Sequence, residues 1–386
     1  MTVFKFYNSV GEQLKNIDWI EIQWNRKYLE TGDFSLYTNV ENWNTEIKYI
    51  KNVGRPETGI VQKLNYYKKE NGTFVEVKGL FLEHLLSWGS YWLPSSLTGA
   101  TTSADVKSLL EDYFLGTLGT TRYQNSVYPQ LYAVTINDDS EIPSSMNVNI
   151  PLGETVETTL YNYLVPLGYS FYCTPVFNPV TSESLPHIGV DIHIYKLVDK
   201  TDTVYFGDYF KNVEDIQYTL DESDMYGEYV IVQEIPVEQA GNFQLATTIN
   251  TADGLRSYMY INMNDVNNFP SGFGECVPLK CFETSISDIE FIAANEETIH
   301  KQMIQQATLD MLNHYKIENM TVDTLQNRFY YLTDYDLGDK CNLQITKLNQ
   351  QFTARIAEVS EVHSKNKVDI SLTMGTPRKT TYIKKL

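Results

Sequence analysis

Apolar residues fall on alternate positions through much of the first eighty residues. Phe34, Leu36, Thr38 and Val40 alternate with polar neighbours; Ile20, Ile22 and Trp24 share one face of an earlier run, and Ile60, Leu64 and Tyr66 lie on another. A period of two is the side-chain period of a β-strand. Asn71-Gly72 sits between TGIVQKLNYYKKE and TFVEVKG. An Asn-Gly pair between alternating runs predicts a tight hairpin, because both residues tolerate positive φ. Residues 1–82 are therefore expected to form a small closed or half-closed β-barrel.

The pattern changes after residue 82. LFLEHLLSWGSYW has adjacent apolar residues and predicts a short helix. TSADVKSLLEDYFL predicts an amphipathic helix capped by Thr102 or Ser103. GETVETTLYNYLVPLGYSFYC predicts a third helix that turns into a strand after Gly168, and Ile188, Val190, Ile192 and Ile194 mark a further strand. Residues 203–236 read as strand, acidic turn (Asp221, Glu222, Asp224) and strand, and residues 237–290 as loop-rich. Ile299, Met303, Ala307 and Met311 recur at helical spacing and predict a long helix over 291–315. Strands return over 328–376. Cys341, Leu343 and Ile345 alternate, as do Val368, Ile370, Leu372 and Met374, with FTARIAEVSEV between them and a turn at Asn349-Gln350. The expected class is α+β, mainly β: two small β-barrel domains with an α+β insertion between them. The first barrel is 1–82. The lateral α+β domain is 83–200, joined by 238–318. The second barrel is 203–237 plus 319–376, followed by a basic tail at 377–386.

Composition sharpens this picture. With 28 Tyr and 17 Phe, the chain is rich in residues that pack on pleated surfaces and at interfaces. A net charge of −19 repels phosphate backbones, which disfavours a DNA clamp but suits a conduit through which DNA slides. Cys173, Cys276, Cys281 and Cys341 show no zinc-ligand or disulfide spacing, so buried thiols are expected. The N-terminus lacks a secretory pattern, and no run of 18 apolar residues predicts a membrane-spanning helix.

Candidate chemistry is sparse. No G-x-S-x-G is present. His187, His193, His300 and His314 form no ligand spacing, and Gly272-Phe273-Gly274 lacks the third glycine of a nucleotide loop. Asp334, Asp336 and Asp339 offer the carboxylates a calcium ion takes, but without the glycine placement and closing Glu of an EF-hand; a polar turn is the expectation. Among 49 acidic residues, no glycosidase pair can be singled out. Trp24, Trp88 and Trp92 are expected in the core. No catalytic residue, metal site or cofactor is expected.

Several short phrases occur in a telling order. They are Trp24-Asn25-Arg26, Gly32-Asp33-Phe34-Ser35-Leu36, Gly59-Ile60-Val61, and Val77-Lys78-Gly79 leading into Leu85-Leu86. Near the C-terminus stands Tyr335-Asp336-Leu337-Gly338-Asp339-Lys340, followed by a hairpin. In this order they resemble the hub proteins of phage tail tips: the tail-associated (Tal) proteins of siphophages and the baseplate hubs of contractile-tailed phages. The resemblance implies family-motif structural roles for Trp24, Arg26, Gly32, Phe34, Gly59, Gly79, Gly338 and Asp339. It implies a homotrimer whose two barrels per subunit present six around a tail tube. The implied partners are the distal tail protein ring and the tube, the tape-measure protein, and receptor-binding proteins or fibres. DNA would pass through the channel without specific binding. The implied location is the virion tail tip, assembled in the host cytoplasm. The chain stops at Leu386, shortly after the second expected barrel, so a short, non-enzymatic hub is expected. The rival readings are a receptor- or saccharide-binding tail protein and a tail-associated cell-wall hydrolase.

Overall fold

The computed structural model describes residues 3–70, 72–88, 106–108, 110–111, 133–144, 155–177, 188–221, 228–238, 246–251, 254–262, 279–283, 296–297, 299–300, 303, 317–365 and 367–375. The chain divides into two compact units, Met1–Gln217 with Met320–Leu386, and Tyr218–Asn319. The fold is mainly β, and most pairings are antiparallel.

The first six strands are β1 (Phe4–Tyr7), β2 (Trp19–Lys27), β3 (Asp33–Asn39), β4 (Tyr49–Asn52), β5 (Thr58–Lys69) and β6 (Gly72–Phe81). Strand β3 follows its sequence parity: Phe34, Leu36 and Thr38 are buried while Ser35 and Tyr37 are partly exposed. The Asn-Gly hairpin is present, with Lys69 opposite Gly72 and Gly72 at φ 145°. Three expected core positions differ. Ile20 is exposed because the β2–β3 register shifts between Trp19 and Glu21, so that an extra residue interrupts the alternation. Leu64 and Tyr66 are exposed because β5 outruns β4, which pairs only with Thr58–Ile60.

Much of the C-terminal part joins the same sheet. Its strands are β16 (Ile317–Thr324), β17 (Lys340–Ile345), β18 (Gln350–Ser364) and β19 (Val368–Gly375), with β10 (Tyr205–Gly207) and β11 (Val213–Asp221). The sheet order is β1-β4-β5-β6-β3-β2-β18-β19-β16-β11, with β17 pairing β18 and β10. No pairing among the described residues closes this path on itself. The N-terminal and C-terminal strands meet at β2 and β18, antiparallel from Lys27↔Glu358 to Glu21↔Ser364. Asn349 adopts the left-handed conformation, φ 50°, at the turn expected before β18.

The core beneath β2, β3 and β6 gathers Ile22, Trp24, Phe34, Leu36, Val75, Val77 and Phe81 with Phe4, Phe6 and Ile50. The Trp24 ring lies 4.6 Å from Phe81 and 5.8 Å from Phe34. A second core lies under β7 (Ala133–Ile136), β8 (Tyr169–Phe177) and β9 (Ile188–Lys196), which form a three-stranded sheet in the order β7-β9-β8. Helix α1 (Val156–Leu164) covers it with Val156, Leu160, Tyr161 and Leu164. Thr155 caps α1 by accepting the Thr158 N–H, and the chain leaves through a 3-10 turn to Gly168 at φ 82°, where the sequence placed the switch to strand. The 82–88 segment forms a 3-10 helix rather than an α-helix, and Leu82, Leu85 and Leu86 join this core.

In the second unit, β12 (Glu228–Ile235), β13 (Ala246–Thr251), β14 (Gly254–Asn262) and β15 (Leu279–Glu283) form a sheet in the order β13-β14-β12-β15. Two expectations are corrected here. The stretch 237–290 holds three strands: β-branched Thr and Ile favour β13, Tyr258, Tyr260 and Ile261 favour β14, and β15 is only five residues long. The hairpin expected across Asp221–Asp224 does not form: β12 pairs with β14 and β15, while β11 pairs in the twelve-stranded sheet. Proximity in sequence did not decide the pairing. Ile299 and Met303 of the expected long helix are helical and buried, whereas Ala307 and Met311 lie outside the described residues.

Candidate functional site

The motif residues collect into two neighbouring structures rather than into a cleft. The first is an all-apolar packing knot. Trp24 and Phe34 are fully buried. The Phe34 ring lies so close over Gly59 that an added Cβ would come within 2.5 Å of it. A Cβ on Gly79 would overlap the Ile60 carbonyl, and one on Gly32 would stand 2.6 Å from the Phe81 ring. These glycines let three strands approach an aromatic cluster at backbone distance.

The second is a buried charged junction built on β2 and β18. Arg26 of β2 lies opposite Val359 of β18. Its Nε donates to Glu57 Oε1 at 2.7 Å, and its Nη1 donates to the Tyr331 hydroxyl and to Asp336 Oδ1, both at 2.6 Å. Arg55 meets Glu361 in a two-bond fork at 2.5 and 2.7 Å, and His363 Nε2 stands 3.0 Å from the same carboxylate. The side chains of Arg26, Glu57, Glu361 and His363 are almost wholly withdrawn from water. Burial opposes the Arg26 charge, but Glu57, Tyr331 and Asp336 outweigh it and hold the guanidinium well above its ordinary range. Burial likewise opposes ionisation of Glu361, yet the His363 and Arg55 hydrogen bonds hold its carboxyl below the ordinary range. Burial raises the Glu57 carboxyl even against Arg26. The junction ties β2, the β4–β5 turn, the 331–336 turn and β18 into one arrangement.

The Gly-Asp phrase seats that last turn. Gly338 sits at φ 83° and donates its N–H to the Ile356 carbonyl, while Ile356 N–H returns to the Asp339 carbonyl at 2.9 Å. Asp339 Oδ2 accepts the Asp336 N–H at 2.9 Å, and burial raises its carboxyl. The three aspartates considered for calcium each have another partner: Asp334 takes the Tyr330 N–H, Asp336 takes Arg26, and Asp339 takes the Asp336 N–H.

Arg55, Glu57, Glu361 and His363 were missed by sequence reasoning. A signal existed for two of them. Glu361 and His363 lie in step with Val359 along β18, on its buried face. A charged residue at core parity in a strand points to a buried partner. Glu83 was also missed. It is buried beside Cys173, whose N–H it accepts at 2.8 Å, and burial pushes its carboxyl up to about 8.

The other candidates are dispersed. His193 stacks on Tyr172, lies 2.8 Å from Asp139 and 3.0 Å from Thr174 Oγ1. Cys173 and Cys341 are free and buried. His187, His314, Gly272-Phe273-Gly274, Cys276 and Trp92 lie outside the described residues, as does the 377–386 tail. Among the described residues, no helix is long and apolar enough to cross a membrane.

One exposed feature stands beside the buried ones. Beyond Val61, β5 continues as an arm from Gln62 to Lys69, paired on one side by β6. Leu64 is 47% and Tyr66 60% exposed, and Lys63, Lys68 and Lys69 are exposed along it.

Comparison with known proteins bears on the whole chain. The tail protein from Neisseria meningitidis MC58 matches with a TM-score of 0.52 at 12% identity, covering 97% of this chain and 96% of that one. The 43 kDa tail protein of prophage MuSo2 from Shewanella oneidensis matches with a TM-score of 0.50 at 10% identity, covering 98% and 99%. At such identities the likeness establishes a shared fold. No curated protein matched in sequence. The model of the Siphovirus ReqiPepy6 Gp37-like protein family matches residues 4–376. The packing knot, the charged junction and the Gly-Asp turn all fall within that span, and the chain belongs to this siphovirus family.

Proposed function

We propose that the chain is a structural hub of a bacteriophage tail tip. The observation that carries this reading is end-to-end likeness. A siphovirus family model spans residues 4–376, and two tail proteins, one of them from a prophage, share the fold over nearly their whole length. In this reading the molecule's work is mechanical. Three copies surround the axis of the tail. The strands of 1–82 and, in the C-terminal part, β10 and β11 with those of 319–376 act as two barrel-like modules per subunit, so that three subunits offer six positions to a six-fold tube. The partners are the distal tail ring, the tube, the tape-measure protein and the receptor-binding proteins or fibres. The net charge of −19 keeps passing DNA from adhering. The buried junction fits a part that transmits load, because a network of paired buried charges favours one arrangement of β2 against β18 over near alternatives.

Two measurements test the proposal. Gold-labelled antibody against the chain should decorate the tip of the virion tail, and light scattering of the purified chain should give three times the subunit mass. Label along the tube or on the capsid, or a single-subunit mass at tens of micromolar, would overturn it. Release of peptidoglycan fragments, or tight glycan binding by the isolated chain, would favour the hydrolase or receptor readings instead.

A further inference from the structure

We propose that copies of this chain join edge to edge, the β5 arm of one subunit pairing with β11 of the next. The inference rests on the hub reading and specifies how its subunits meet. Both strands are free on one side among the described residues. The arm Gln62–Lys69 has β6 on one flank and extends past the end of β4 on the other. Strand β11, Val213–Asp221, ends the sheet order with β16 as its neighbour. Both are long for unprotected edges and lack proline, the residue that most directly blocks strand addition. Spanning eight and nine residues respectively, they match in length at roughly 26–30 Å.

Their charges are opposite. The arm carries Lys63, Lys68 and Lys69, all exposed, in a chain of net charge −19. Strand β11 carries Glu214, Asp215 and Asp221. An antiparallel alignment that sets Leu64 opposite Leu220, both about half exposed, brings two exposed apolar side chains together, because directly opposed residues share a face. The same register puts Lys69 opposite Asp215 on the other face. A shift by one residue takes Leu64 away from Leu220 and Lys69 away from Asp215. The two edges belong to different parts of one subunit, so the contact is heterologous and propagates from copy to copy. Such contacts form a closed ring when the rotation permits, which is the geometry a hub around a tube requires.

Charge reversal tests the pairing in the full-length chain. Lys69→Glu alone and Asp215→Lys alone should each weaken assembly at least tenfold in concentration dependence by light scattering. The combined Lys69→Glu, Asp215→Lys chain should recover it. Separately, a Leu64→Cys, Leu220→Cys chain should give disulfide-linked oligomers under mild oxidation, whereas the wild-type chain and each single substitution stay unlinked. Circular dichroism checks that every variant is folded, and cross-linking does not depend on the charge variants. A wild-type oligomer that persists in both single reversals, with no cross-link in the double-cysteine chain, would overturn the edge pairing and leave the hub standing. A wild-type chain that stays single, or associates only after another tail protein is added, would overturn the pairing as well; in the first case the hub falls with it.

Discussion

The charged junction and the β5 arm are both rich in ionic side chains, yet they use charge in opposite ways. At the junction, Arg26 and Glu57 are withdrawn from water and held at 2.7 Å, with Tyr331 and Asp336 completing the guanidinium's partners. On the arm, Lys63 and Lys68 are exposed beside Leu64 and Tyr66. Buried charge has no alternative partner, so it specifies one arrangement and punishes its loss. Exposed charge is screened and costs little within the subunit, which leaves it available for a neighbour. The same residue types thus serve cohesion inside the molecule and selectivity outside it.

This contrast can be broken deliberately. The largest effect is expected from Arg26→Ala, which strands Glu57 as a buried unpaired carboxylate. Stability should fall by about 3–5 kcal/mol, read as a lowered denaturation midpoint. Glu83→Gln should act in the other direction and only at higher pH. The folded chain holds a proton on Glu83 up to about pH 8, whereas the ordinary value is 4.5. Between those values the unfolded chain releases the proton and the folded chain keeps it, so wild-type stability falls as pH rises through this window and levels off above it. The glutamine variant lacks that slope, and its advantage should grow by about 3–4 kcal/mol from pH 5 to 8. A pH-independent difference in urea titrations would refute this. Gly79→Ala, which forces a methyl against the Ile60 carbonyl and Phe34, should cost about 1–3 kcal/mol. The smallest effect on stability is expected from Leu64→Ser on the arm, within about 0.5 kcal/mol. If it lowers stability as much as Gly79→Ala, the arm is part of the subunit's core and the contrast fails.

How much of this was legible in the sequence varied with the physical cause. Strand β3, the Asn-Gly hairpin and the Gly168 switch obey local rules, and they stand where the pattern put them. Ile20, Leu64 and Tyr66 obeyed the same alternation but are exposed, because a register shift and an overhanging strand are decided by neighbours rather than by the residues themselves. The β11–β12 hairpin failed for the same reason. Trp24, Phe34 and their glycines were found by resemblance, and the structure explains the spacing as ring-on-backbone packing. The charged junction was only half visible. Arg26, Asp339 and Gly338 stood in recognisable phrases, whereas Arg55 and Glu57 occupy a turn with no periodicity to mark them. Glu361 and His363 were announced by strand parity, a cue that asks only which face of β18 is dry.

The pairing of β2 with β18 joins residues in the twenties to residues near 360. During synthesis the ribosome delivers β2 long before its partner emerges. Until β18 has been made, β2 lacks the neighbour on that side, and until residues 331–336 have been made, Arg26 cannot meet Tyr331 or Asp336. Completion of the sheet therefore waits on strands far downstream of β2. A nascent chain cut short before β18 would expose a row of unpaired backbone groups beside Trp24, a surface prone to self-association.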